Sequence, residues 1–305
     1  MARLTKLIDV APTTFTAGSN DFYPEESPQR TVRVNAFALE ADPVTNARFA
    51  RFVQETGYVT VAERVPSAEE FPGVDLELLV AGVLVFQPTT GPVDLRDWRQ
   101  WWRFEPGASW RAPYGPSGVS HEDIPDHPVV QVAYPDAVAY ARWAGRRLPT
   151  ELELECAARA GRAATTYAWG EEYAPDGIVR ANTWQGRFPY DNQGWGTTSP
   201  MGQFGRNPWG FSDLIGNVWQ WSSTYYASGA ARGVVERAGS CCAPSSALDE
   251  ARRVATAPGE TYPRRVVKGG SHLCAPEYCH RYRPPARQGQ SGDSATTHIG
   301  IRCAA

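Results

Sequence analysis

No stretch of the 305-residue sequence approaches the apolar length that crosses a bilayer, and residues 1–20 lack the charged and apolar regions of a secretory signal. A cytoplasmic protein without membrane attachment is therefore expected. An excess of one charge is also missing. With 30 basic side chains against 33 acidic ones, net −3, neither nucleic acid nor an anionic membrane is an expected partner. The motifs G-x-S-x-G, Walker A and H-E-x-x-H do not occur, which weakens the usual hydrolase and nucleotide-binding readings. Histidine is scarce. His121, His127, His272, His280 and His298 are the full set and show no H-x-x-x-H-x-E spacing, a poor basis for a 2-His-1-carboxylate iron site. There is no internal repeat, low-complexity tract or obvious linker, so one domain over residues 1–305 is expected.

What the chain does have is 28 Gly and 25 Pro together with 11 Trp and 13 Tyr, the mark of a loop-rich but compact α+β fold rather than a disordered chain. Three helices can be read from apolar spacing and end signals. "VTNARFARFVQETGY" puts Phe49, Phe52 and Val53 on one face with Thr45 as N-cap, and "YPDAVAYARWAGRR" groups Ala137, Tyr140, Ala141 and Ala144 before Gly145. "RLPTELELECAARAG" carries the capping-box pair Thr150 and Glu153. The runs "RTVRVNAFAL", "HPVVQVAY" and "RRVVKGGSH" read as strands. Residues 165–245, rich in Gly, Pro, Asn and Trp, read as ordered loops, and residues 66–102 read as an insertion.

The chemistry concentrates in "SHLCAPEYCHRYRPPAR", residues 271–287. A reducing compartment disfavours a disulfide framework among the six cysteines. Cys274 and Cys279 are then a buried or bridged pair, half of a zinc site, or a copper or redox centre. Two soft sulfurs suit Cu(I), whereas structural zinc needs four ligands. Arg281, Arg283, Arg287 or a protonated His280 would lower a thiol pKa if they point inward. The adjacent Cys241 and Cys242 read as a loop feature. Gly269 and Gly270 read as a turn or close-approach position, and Trp184, Trp219 and Trp221 as core. "ANTWQGRFPYDNQGW" and "FSDLIGNVWQW" offer Asn182, Asp191, Asp213 and Gln220 among glycines, which suits either calcium ligation or ordinary Asx turns.

"PEESPQRTVRVNAFALEADPVTNARFARFVQETGYVT", "HPVVQVAYPDAVAYARWAGRRLPTE", "ANTWQGRFP", "GNVWQW", "VVKGGSHLCAPEYCHRYRPPAR" and "HIGIRCA" resemble, in order and interval, the formylglycine-generating enzymes. Nearly the whole chain is covered. The resemblance implies a single loop-rich domain similar to C-type lectin folds, holding structural Ca²⁺. It also implies a Cu(I)- and O₂-dependent oxidase that, with a thiol reductant, converts the cysteine of an unfolded sulfatase's C-x-P-x-R segment to formylglycine.

By the same resemblance Cys274 and Cys279 would bind Cu(I), with Ser271, Trp219, Tyr278, Arg287 and His298 around them. Calcium ligands would be Asn182, Thr183, Asp191 and Trp195 in a first loop, and Asp213, Gly216, Val218 and Gln220 in a second. Relatives tend to have an asparagine where Asp213 stands and a glutamate where Gln220 stands. Ala275 and Glu277 stand where histidine and serine are common, and no Cys156–Cys303 bridge is implied. A monomer is expected. The alternatives are a non-haem iron oxygenase of the sulfoxide-synthase type and a non-catalytic peptide-binding module of the same fold.

Overall fold

A computed structural model describes residues 3–69, 73, 75–238 and 244–305; Cys241 and Cys242 lie outside the described residues. The regular elements, in chain order, are β1 (Leu7–Val10), β2 (Thr13–Ala17), β3 (Arg30–Val34), β4 (Phe37–Glu40), α1 (Asn46–Thr56), β5 (Gly82–Phe86), β6 (Trp102–Pro106), α2 (Tyr134–Trp143), α3 (Glu151–Arg159), β7 (Trp219–Tyr225), α4 (Arg232–Ala238), α5 (Ser245–Ala255), β8 (Arg264–Lys268), β9 (Arg287–Ser291) and β10 (Ile299–Gly300). β10, β7, β8 and β9 form one sheet in that order, parallel at β10/β7 and antiparallel elsewhere. The pairs β1/β4, β2/β3 and β5/β6 are separate antiparallel ribbons.

The three expected helices are present, and the two whose starts were expected begin there. The Thr45 side chain accepts from Arg48 N, and Thr150 and Glu153 cap each other's backbone N–H, each worth roughly 1 kcal/mol of helix stability. α1 turns Phe49, Phe52 and Val53 into the main core. α3 buries Glu151, Glu155 and Arg159 along with its apolar residues. Those charges are satisfied by Lys268, Arg287 and each other.

"RTVRVNAFAL" divides into β3 and β4 rather than forming one strand. "HPVVQVAY" forms no strand. Gln131 takes a left-handed φ of 60°, its backbone N–H bonds Thr296 O, and Val129 N–H bonds Val44 O, so the segment is threaded between loops. β7 and α4 break the expected loop region, while residues 165–218 do run as loops. There side-chain amides replace a ladder. Asn207 Oδ1 accepts from Trp209 N and Phe211 N, and Asn217 bonds both N and O of Ser199.

Candidate metal centre and cleft

β8 ends at Lys268 and the chain turns through Gly269 and Gly270, at φ 100° and 73°. A Cβ on Gly269 would meet Leu214 O at 2.6 Å, and one on Gly270 would meet Arg281 O at 2.8 Å, so both positions require close backbone approach. Two tandem turns follow. Cys274 N bonds Ser271 O at 3.0 Å and Cys279 N bonds Ala275 O at 2.8 Å. This one extra helical turn brings the two sulfurs to 3.2 Å of each other, well beyond a disulfide's ~2.05 Å. Both are buried free thiols, as are Cys156 and Cys303.

The arginines of the motif divide their duties. Arg281 pairs with Glu25 at 2.7 Å, Arg283 with Glu26 at 2.6 Å and Arg287 with Glu151 at 2.9 Å. Each cation therefore pegs the cysteine loop to the turn at Pro24–Glu26 or to the start of α3. Only Arg281 also reaches a motif sulfur, its Nη1 lying 4.0 Å from Cys279 Sγ. A hydrogen bond from Cys274, aided by the Arg281 charge, draws the Cys279 thiol down to about 7, while burial pushes Cys274 well up. His280 supplies no charge here. Burial lowers its pKa, and its Nε2 meets the Tyr167 hydroxyl at 3.0 Å.

The sulfur pair lies at the floor of a cleft of about 550 Å³. Ser271, Trp219, Tyr278 and His298 line it with the two cysteines. Ser271 N–H points at Cys274 Sγ at 3.4 Å. Tyr278 stacks on Phe188 with ring centres 4.5 Å apart. Arg287 stands outside the cleft, its guanidinium bonded to Glu151 and Ala227 O. Trp184 and Trp221 are core, whereas Trp219 faces the cleft.

Sequence reasoning missed the opposite wall, Leu84, Trp98, Trp101 and Trp102, together with Phe188, Gln288, Gln290 and Thr296. The tryptophan-rich end of residues 66–102 was the available signal. β5 and β6 place Leu84 opposite Phe104 and Phe86 opposite Trp102, while Val83 and Val85 fill a core cluster on the other face. β5 is apolar on both faces because Val83 and Val85 pack inward while Leu84 walls the cleft, whereas β6 sets Glu105 and Arg103 opposite the two valines.

Burial drives His298 down to about 3, with His272 adding to the effect, and Nδ1 meets Thr296 Oγ1 at 3.0 Å. Its native pKa is below its unfolded value, so the unfolded chain takes up a proton that the native state refuses. The stability from neutral His298 is therefore complete above the unfolded value and lost as pH falls toward 3. Because its cleft side meets water, we expect the wild type to lose about 1 kcal/mol more between pH 7 and 5 than His298→Asn. Urea midpoints at the two pH values check this, and equal losses would refute it.

The sequence model of the sulfatase-modifying factor enzyme 1-like domain matches residues 2–305. The chain is 57% identical to the formylglycine-generating enzyme of Mycobacterium tuberculosis, over 99% of this chain and 98% of that protein. The chain belongs to this family. The formylglycine-generating enzyme of Thermomonospora curvata is 40% identical, over 96% of this chain and 90% of that protein. Another relative, from Mus musculus, is named an inactive Cα-formylglycine-generating enzyme 2 and is 36% identical, over 92% of this chain and 78% of that protein. Membership alone therefore does not decide activity; the site does. The structure of PvdO from Pseudomonas aeruginosa shares the fold, with a TM-score of 0.58 and 22% identity, covering 98% of this chain and 94% of that one.

The metals that the family resemblance implies can be tested against these residues. Two free, adjacent, cleft-facing sulfurs form a soft donor set that fits Cu(I). Among the described residues no three His, Cys, Asp or Glu side chains converge as a metal site. In the first calcium loop the Asn182 Oδ1 is buried without a partner, a free oxygen that fits a hard cation. Thr183 Oγ1 is engaged with Tyr173 at 2.6 Å, the Asp191 carbonyl accepts from Trp184 Nε1, and Trp195 is exposed. In the second loop Gln220 Nε2 donates to the Asp213 carbonyl at 2.7 Å and its Oε1 accepts from Arg302 Nε at 2.7 Å. That donor set does not fit calcium.

Proposed function

We propose that this chain is a copper-dependent oxidase that converts the cysteine of a sulfatase C-x-P-x-R segment to formylglycine. The observation that carries the reading is the pair of free sulfurs, 3.2 Å apart, at the floor of a cleft. The family relatives named formylglycine-generating enzymes support the substrate class. Converting a CH₂SH group to an aldehyde removes sulfur and two electrons, and the other two that O₂ takes come from the reductant. The balanced change takes the thiol, O₂ and two reductant thiols to the aldehyde, H₂S, water and a disulfide.

Cys274 and Cys279 would hold the metal, and bound Cu(I) would supply the one-electron chemistry with O₂ that side chains lack. The chain's own residues do the positioning. The aromatic walls from Trp101, Trp102, Phe188 and Tyr278 exclude water and accept an extended segment whose backbone is not committed to its own fold, which suits an unfolded client. Ser271 borders the Cys274 sulfur, and Trp219 lines the same cleft. The Arg281 guanidinium, stacked on Tyr23 at 3.8 Å and fixed by Glu25, offsets negative charge at Cys279.

The test is incubation of the copper-loaded protein with a C-x-P-x-R peptide, O₂ and a thiol reductant, with mass spectrometry for the aldehyde. Its formation is expected, and its absence with full copper occupancy would overturn the reading in favour of a peptide-binding module. Arg281→Met is expected to weaken Cu(I) binding by roughly 10–100-fold, the usual cost of losing a partner behind a metal ligand. Competition against a Cu(I) chelator measures it, and unchanged affinity would remove Arg281 from the site.

A further inference from the structure

We propose that the second loop, residues 213–220, is closed by its own side chains in place of calcium, with Gln220 and Arg302 doing what the ion does where residue 220 is a glutamate. The argument begins with Arg302, which is fully buried and donates to Gln220 Oε1, to Glu40 O at 2.6 Å and to Ser212 O. A guanidinium has donors and no acceptor. The Gln220 atom that faces it must be the oxygen, and the atom that faces the Asp213 carbonyl must be the NH₂.

Calcium takes oxygen ligands only, and no Gln220 oxygen faces the loop. Turning the carboxamide over would set its NH₂ against the Arg302 N–H and leave its oxygen facing the Asp213 carbonyl with no proton between them. Neither arrangement is stable in a buried site. The Asp213 carboxylate does not replace the missing oxygen, since it accepts from Gly202 N at 2.7 Å and Asn217 Nδ2 at 3.2 Å. Burial lowers Arg302 only to about 10, so it stays cationic at neutral pH. A divalent ion alongside would add charge of the same sign in a dry region.

Glutamate at 220 reverses this logic. One carboxylate oxygen would still accept from Arg302, and the other would face the Asp213 carbonyl, two oxygens with only a cation able to join them. One substitution should therefore create a calcium site, whatever the chain's catalytic activity. Chelator-stripped wild type, Gln220→Leu and Gln220→Glu would be dialysed against Ca²⁺, the bound ions counted, and each protein melted with and without Ca²⁺. We expect wild type and Gln220→Leu to bind the same number, leaving any first-loop ion at Asn182 untouched. Gln220→Glu should bind one more ion per chain and show an added calcium-dependent rise in Tm. One fewer ion on Gln220→Leu than on wild type, or no additional ion on Gln220→Glu, would overturn the proposal.

Discussion

Replacing Cys279 by serine is expected to abolish aldehyde formation, with turnover falling by more than about 10³-fold, while the protein stays folded. Serine nearly preserves the shape of a buried residue, so the melting temperature should move little. It also replaces a soft sulfur by a hard oxygen that binds Cu(I) poorly. Cu(I) affinity, measured by chelator competition, should collapse in parallel. Cys274→Ser should behave alike, and the double variant should be no worse than either single one, because the sulfurs, 3.2 Å apart, act as one donor set. Turnover that survived Cys279→Ser, or copper affinity that did not change, would show that the pair is structural. The identity to a relative named inactive makes this the deciding experiment, since overall similarity does not separate the two outcomes.

What could be read from the sequence was local. The Thr150–Glu153 capping box acts over three residues, the Gly269–Gly270 turn over two, and the cysteine spacing over five, so each carries its geometry in adjacent letters. What could not be read was chosen by tertiary packing. Glu25 and Glu26 give no sign in sequence that they neutralise Arg281 and Arg283, more than 250 positions away. Gln220 looks like a conservative stand-in for a metal-binding acid until Arg302, 82 positions on, fixes which end of its amide faces the loop. Likewise "HPVVQVAY" alternates like a strand, yet its backbone bonds go to Val44 and Asn46 on one side and to Gly292 and Thr296 on the other, so no ladder forms. The cleft wall was hidden because Leu84, Trp101 and Trp102 mimic a core pattern. An apolar ribbon face that awaits a substrate looks, in sequence, like one that awaits a protein core.

The second large effect is expected at Glu26. Glu26 and Arg283 are both fully buried and joined by two parallel hydrogen bonds, 2.9 and 2.6 Å long. Arg283 also stacks on Phe22 at 3.7 Å and donates from Nε to His280 O at 2.7 Å. Glu26→Ala would leave that guanidinium buried and uncompensated, which typically costs about 3–5 kcal/mol. Chemical denaturation should show a loss of that order. Arg283→Met combined with Glu26→Leu should be less unstable than Glu26→Ala, because no unpaired charge then remains. A loss below roughly 1 kcal/mol, the scale of a surface pair, would show that water reaches the site. The effect should also extend to the metal centre. The His280 carbonyl held by Arg283 lies between Cys279 and Arg281, so freeing Arg283 releases the segment that sets the second sulfur. Under conditions where Glu26→Ala remains folded, its Cu(I) affinity should therefore fall as well, a result that a purely local loss of stability would not produce.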